Sequence, residues 1–212
     1  MSDDLAFYLS LSILVPIVVG ITRYKAIYPT YYPFLVLMLV GLINEIVCYP
    51  LSNSAIPNNV YCLIEFLLFT WQFRKWKNIL LGKEVYYGLN FLLIIIWMCE
   101  NLVYKHLDSF GIVYAISYSF TLILLAINQM NWLIINERSS IYKNPVFIIC
   151  IAIIIFYSYK ILMEVFYYYA PERTMRSNIF SIEAYVNVLY NILLAIAIIC
   201  IPKKKNFILQ LS

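Results

Sequence analysis

The chain alternates between long apolar runs and short polar connections, and the runs have the length of membrane spans. Seven can be drawn, over residues 5–22, 34–51, 59–73, 85–104, 111–130, 146–169 and 179–201. A helix needs about 20 apolar residues to cross a bilayer, so the run at 59–73 must continue into its flanks. Backbone polar groups in hydrocarbon have no water to bind, and each run is therefore predicted to be a helix. The reading is an all-α membrane protein: a single polytopic domain over 1–212 with seven transmembrane helices.

Composition strengthens this reading. Of the 212 residues, 64% are hydrophobic and only 12% charged, against roughly a quarter charged in a soluble domain. Little chain remains for a soluble domain, so the lipid bilayer is the first expected partner. The basic residues add a direction. Arg23, Lys25, Arg74, Lys75, Lys77, Lys83, Arg138, Lys143 and Lys203–Lys205 fall on one side of the predicted bundle, whereas the other has only Lys105, Arg173 and Arg176. Basic loops stay in the cytoplasm, which predicts an amino terminus outside and a carboxyl terminus inside. The acidic leader Met1-Ser2-Asp3-Asp4 lacks the basic start of a signal peptide, so the first helix is expected to remain as a span. The net charge of +4 reads as membrane anchoring, since the short loops offer no basic surface for nucleic acid.

Five glutamates interrupt the apolar runs: Glu45, Glu65, Glu100, Glu164 and Glu183. An ionisable side chain at membrane depth is expensive unless it is paired, protonated or facing water, and so marks function by default. Counted from the run edges at about 1.5 Å per residue, each lies roughly 7–10 Å below the outer boundary. Five carboxylates at one level repel each other and favour shared protons, water or a bound cation. Glu183, Asn187 and Asn191 recur every four residues and form one polar stripe. Lys160 is the only basic residue deep within a span, and stands four residues before Glu164, within pairing distance on a helix. The predicted binding set is thus Glu45, Glu65, Glu100, Glu164, Glu183, Asn187, Asn191 and Lys160, with Glu100 at the rim.

Spacing within the chain suggests an internal repeat. Glu45 precedes Glu65 by twenty residues and Glu164 precedes Glu183 by nineteen, in the segments Asn59-Val-Tyr-Cys-Leu-Ile-Glu65 and Asn178-Ile-Phe-Ser-Ile-Glu183. Each Asn is read as the end of a loop. Parallel three-helix repeats over 5–73 and 111–201, joined by a linker helix at 85–104, would give this pattern. Such a three-plus-one-plus-three plan resembles the SWEET and KDEL-receptor families in topology. Their Pro-Gln signature is absent, the prolines here standing in Val15-Pro16, Tyr49-Pro50, Ile56-Pro57 and Asn144-Pro145 among others. The stretches Asn59–Phe69 and Val188–Ala197 resemble poorly characterised seven-helix membrane proteins of Bacteroidota, which implies a bacterial inner membrane.

Catalytic signatures do not emerge. The single histidine, His106, stands in an outer turn, there is no HExxH or GxSxG, and five glycines form no phosphate loop. The five cysteines are isolated and read as small buried hydrophobes. No metal ligand set or cofactor is expected, and the pattern argues against an enzyme. The tyrosines near span ends read as headgroup-level anchors. Two functions fit. One is a transporter- or sensor-like protein with an outward-facing acidic cavity for protons or a small cationic solute. The other is a membrane accessory or effector protein, such as an oligomeric channel or a phage-defence or CRISPR-associated component, acting through helix-mediated assembly with itself or a partner.

Overall fold

The computed structural model describes residues 3–51, 53–77, 82–104, 107, 109–136, 141–169 and 173–202. Among them there is no strand. The helices are α1 (Asp3–Ser10), α2 (Leu14–Arg23), α3 (Tyr32–Cys48), α4 (Ala55–Lys75), α5 (Lys83–Met98), α6 (Ile112–Asn136), α7 (Pro145–Tyr169) and α8 (Arg173–Cys200). A 3₁₀ stretch, Leu11–Ile13, joins α1 to α2, so these two form one interrupted span. The break has a local cause. Pro16 has no N–H for the carbonyl of Ser12, and its ring crowds that carbonyl. The expected seven helices are therefore present.

Six of the seven, Phe7–Ala26, Pro29–Cys48, Lys83–Tyr104, Ile112–Asn136, Pro145–Phe166 and Ser181–Cys200, are long and apolar enough to cross a membrane. The seventh, α4, is long enough at 21 residues but less apolar. Its polar side chains Asn59, Glu65, Thr70 and Gln72 are all buried inside the protein, and they bring its hydropathy down. As expected, α4 extends beyond 59–73 in both directions. Two other helices exceed their apolar runs: α6 continues to Asn136 and α8 begins at Arg173. A helix can carry polar residues beyond the hydrocarbon, where hydropathy no longer reports it.

Neighbouring helices finish each other's ends. Four N–H groups at every helix start lack an intrahelical acceptor. For α3, Gln72 of α4 accepts from the Phe34 amide at 3.0 Å and donates to the Thr30 carbonyl at 2.8 Å. For α7, Asn144 accepts from the Val146 amide at 2.8 Å, with Pro145 at the first helical position where its missing N–H is harmless. At the far end of α8, the Arg23 guanidinium donates to the carbonyls of Ile198, Ile199 and Ile201. Arg23, counted above as a charge for orientation, is thus the cap of the last helix. α4 ends at Lys75, and Lys77 just beyond it has a φ of 56°, in the left-handed region usual after a helix.

The packing order defines a ring. α3 lies along α4, α4 touches α6, α6 lies along α7, α7 along α8, and α8 returns against α1 and α2, which meet α3. α5 sits outside this ring against α4 and α6. The core includes Phe34, Phe66, Phe69, Phe73, Leu122, Ile149, Ile153 and Ile198, contributed by five of the ring helices.

Candidate functional site

Glu65 projects from the second half of α4 into the ring interior and is only 4% exposed. Both of its oxygens accept tyrosine hydroxyls, Tyr61 at 2.8 Å and Tyr118 at 2.9 Å. Tyr61 lies four residues back on the same helix, where side chains stack on one face. Tyr118 comes from α6 and has no exposed surface. Its oxygen in turn accepts from the Lys160 ammonium of α7 at 2.5 Å. Three helices are therefore linked through one chain, Lys160 to Tyr118 to Glu65, with Cys62 Sγ 3.9 Å from the ammonium. Aromatic rings surround it. Lys160 Nζ is 5.2 Å from the centroid of Tyr118 and 5.9 Å from that of Tyr157, within the range of cation–π attraction.

The other predicted glutamates divide into two groups. Glu164 and Glu183 lie within electrostatic reach of Lys160, and Glu45 within reach of Glu183. Glu45 faces Ser10 of α1. All three are partly buried. Four carboxylates from α3, α4, α7 and α8 thus share one region with a single lysine. They do not close into a chelate: among the described residues no three His, Cys, Asp or Glu side chains are placed to hold a metal ion.

Glu100 stands apart. It belongs to a π-helical stretch, Cys99–Tyr104, that continues α5. Its two oxygens accept the backbone amides of Val113 at 2.9 Å and Tyr114 at 2.6 Å, at the start of α6. A carboxylate on exposed amides at a helix N-terminus meets both the orphan donors and the positive end of the dipole. Gly111 admits it closely, since a Cβ there would come within 3.3 Å of Glu100 Oε2. Asn59 lies within α4 and is not a loop residue. It accepts from the Gly111 amide at 3.2 Å and donates to the carbonyls of Leu107 at 3.3 Å and Ser109 at 2.8 Å. Together Asn59 and Glu100 bind the 107–114 segment to the bundle.

The asparagine stripe faces the first span. Asn191 donates to Ser12 Oγ at 2.8 Å and to Asn187 Oδ1 at 3.4 Å, joining α8 to the 3₁₀ break. His106, Lys105, Arg138 and Lys203–Lys205 lie outside the described residues.

Counted from helix starts, two of the glutamates stand at equal intervals. Glu65 follows Ala55 by ten residues and Glu183 follows Arg173 by ten, or about 15 Å of helix. Glu45 stands three residues before Cys48, where α3 ends.

Sequence reasoning missed the tyrosines. Tyr114, Tyr118 and Tyr157 are buried in the core, whereas tyrosines as a class read as interface anchors. The available signal was position: Tyr118 and Tyr157 stand in the middle of apolar runs, where a hydroxyl needs a polar partner. A separate groove of about 320 Å³ lies between α2 and α3, walled by Ile17, Gly20, Leu35 and Met38 and by stacked Tyr24 and Tyr32; none of the glutamates lines it.

Fold and site together define, among the described residues, an all-α bundle in which six helices are long and apolar enough to span a membrane, built around a buried carboxylate–tyrosine–lysine centre. No family model, curated protein or solved structure matches the chain.

Proposed function

We propose that this is a bacterial inner-membrane protein of the transporter or sensor type, with its amino terminus outside, whose acidic centre binds protons or a small cationic solute. The observation that carries this reading is the imbalance at the centre: among the described residues Glu65, Glu164 and Glu183 act on one internal cation, Lys160, and Glu45 in turn lies within reach of Glu183. Surplus carboxylates in a low-dielectric interior are stable only with added protons, water or cations. The helix order supports a duplicated three-helix design. If α2, α3 and α4 correspond to α6, α7 and α8, the contact of α3 with α4 matches that of α7 with α8, and α2 with α8 matches α6 with α4.

The test is thermal stability of the purified protein across pH and against small cations. A cation at ten times its dissociation constant adds about 1.4 kcal/mol to stability, or about 3–5 °C in Tm for a chain of this size. We expect such shifts in the wild type and their loss in the triple variant Glu45→Gln, Glu164→Gln, Glu183→Gln. A triple variant that folds and responds like the wild type would overturn the reading.

A second reading has its own support, because Gln72, Asn59 and Glu100 are all spent on fastening helix ends. A membrane accessory protein acting through assembly would show no ligand or pH response and would copurify with a partner or as a stable oligomer.

A further inference from the structure

The surroundings of Lys160 are shaped for an ammonium group. An ammonium has three N–H donors and no acceptor. Here one donor meets the Tyr118 oxygen at 2.5 Å, Cys62 Sγ lies at 3.9 Å, and two aromatic rings stand within 6 Å of the charge. The carboxylate of Glu65 waits behind Tyr118 at 2.9 Å. Yet the enclosure is not fully used. The Tyr157 hydroxyl is completely buried and turned towards Glu65 without closing a full hydrogen bond. The Tyr114 hydroxyl, on the ring stacked against Tyr118 at 5.2 Å, is buried without a partner as well. Buried polar groups in native proteins normally find partners, so one hydroxyl held loosely towards the carboxylate and a second left unpartnered on the neighbouring ring point to an occupant that uses them.

Lys160 also has somewhere else to go. Its four-carbon stem is flexible, and Glu164 and Glu183 also lie within its electrostatic reach, Glu164 at the i+4 position of the same helix. Moving the ammonium from Glu65 towards these two keeps it paired. It also leaves Glu65 in need of one positive charge with N–H donors. An occupant of charge +1 preserves the balance of a low-dielectric site, which a dication would not.

We infer that the enclosure formed by Glu65, Tyr118, Tyr157 and Cys62 is a primary-ammonium site, filled in this conformation by Lys160, and that a small primary amine is the solute that displaces it. This rests on the cationic reading above and names its solute class.

The experiment uses Lys160→Ala, which removes three methylenes and the nitrogen, the shape of n-propylammonium. Probes are n-propylammonium and tetramethylammonium at equal ionic strength and constant pH, the second having charge but no N–H. We expect n-propylammonium to raise the Tm of Lys160→Ala at about tenfold lower concentration than tetramethylammonium, as a displaced N–H donor set would require. The wild type should respond in the same order but more weakly, because Lys160 competes. Glu65→Gln, the second variant if Lys160→Ala does not fold, should lose the preference for n-propylammonium while keeping the pH response carried by Glu45, Glu164 and Glu183. Equal responses to both probes in Lys160→Ala and wild type overturn the amine site. If the pH response persists in that case, the proton or cation reading survives it; if that too is missing, both fall.

Discussion

The α3–α4 pair and the α7–α8 pair occupy matching places in the ring, each with a glutamate ten residues into its second helix, Glu65 and Glu183. They differ four residues before the glutamate of the first helix. There α7 carries Lys160, ahead of Glu164, and α3 carries Gly41, ahead of Glu45. Gly41 has no room for more: a Cβ would stand 2.9 Å from Ile13 Cδ1 and 3.3 Å from the Tyr61 hydroxyl. So one half supplies the cation, and the other supplies the close approach that lets Tyr61 reach Glu65. What might have been two equivalent acidic sites is one closed centre around Glu65 and a looser cluster of Glu45, Glu164 and Glu183.

The comparison breaks most visibly at Lys160. Lys160→Met keeps the volume and removes the charge, leaving Glu65 buried without its cation. Losing one member of a buried pair costs about 3–5 kcal/mol, and adding Glu65→Gln should return much of that. Unfolding in mixed micelles would measure both, and a loss no larger than that of Glu183→Gln would erase the distinction between the halves. Next in size is Gly41→Leu. Forcing a side chain between α3, the first span and Tyr61 should cost about 1–3 kcal/mol, the usual range for overpacking. Gly41→Ala should cost less, since the closest atom is the tip of Ile13. Equal stability of wild type and Gly41→Leu would show that the close approach is not required. The smallest effect sharpens the comparison by a control outside both halves. Glu100→Ala removes the cap of α6 and should cost about 1–2 kcal/mol, as cap losses do, with the pH and cation response unchanged. A changed response would return Glu100 to the acidic centre.

Much of this architecture could be read from the chain. Apolar run length located every helix and showed that the short run of α4 had to continue into its flanks; that its polar residues face protein came only with the structure. Glu65, Glu164, Glu183 and Lys160 could be singled out because charge at membrane depth is costly wherever it stands. The partners could not. Tyr118 reaches Glu65 across 53 positions and Lys160 reaches Tyr118 across 42, and no local periodicity encodes such a pairing. The capping role of Glu100 was out of reach for the same reason. Its partners are backbone amides 13 and 14 positions further on, at the start of α6, beside which Asn101 also stands.

The Arg23 guanidinium bears on biogenesis. Helices enter a membrane in order of synthesis, and Arg23 belongs to the first span while its acceptors, Ile198, Ile199 and Ile201, belong to the last. Until α8 has been inserted, Arg23 has none of these acceptors and the ring has no closing edge. Closure of the ring therefore has a polar contact that forms last: carbonyls at the end of the final helix receive the charge of the first span. Arg23→Met should let all seven helices insert yet leave a bundle that proteases open between the first span and α8.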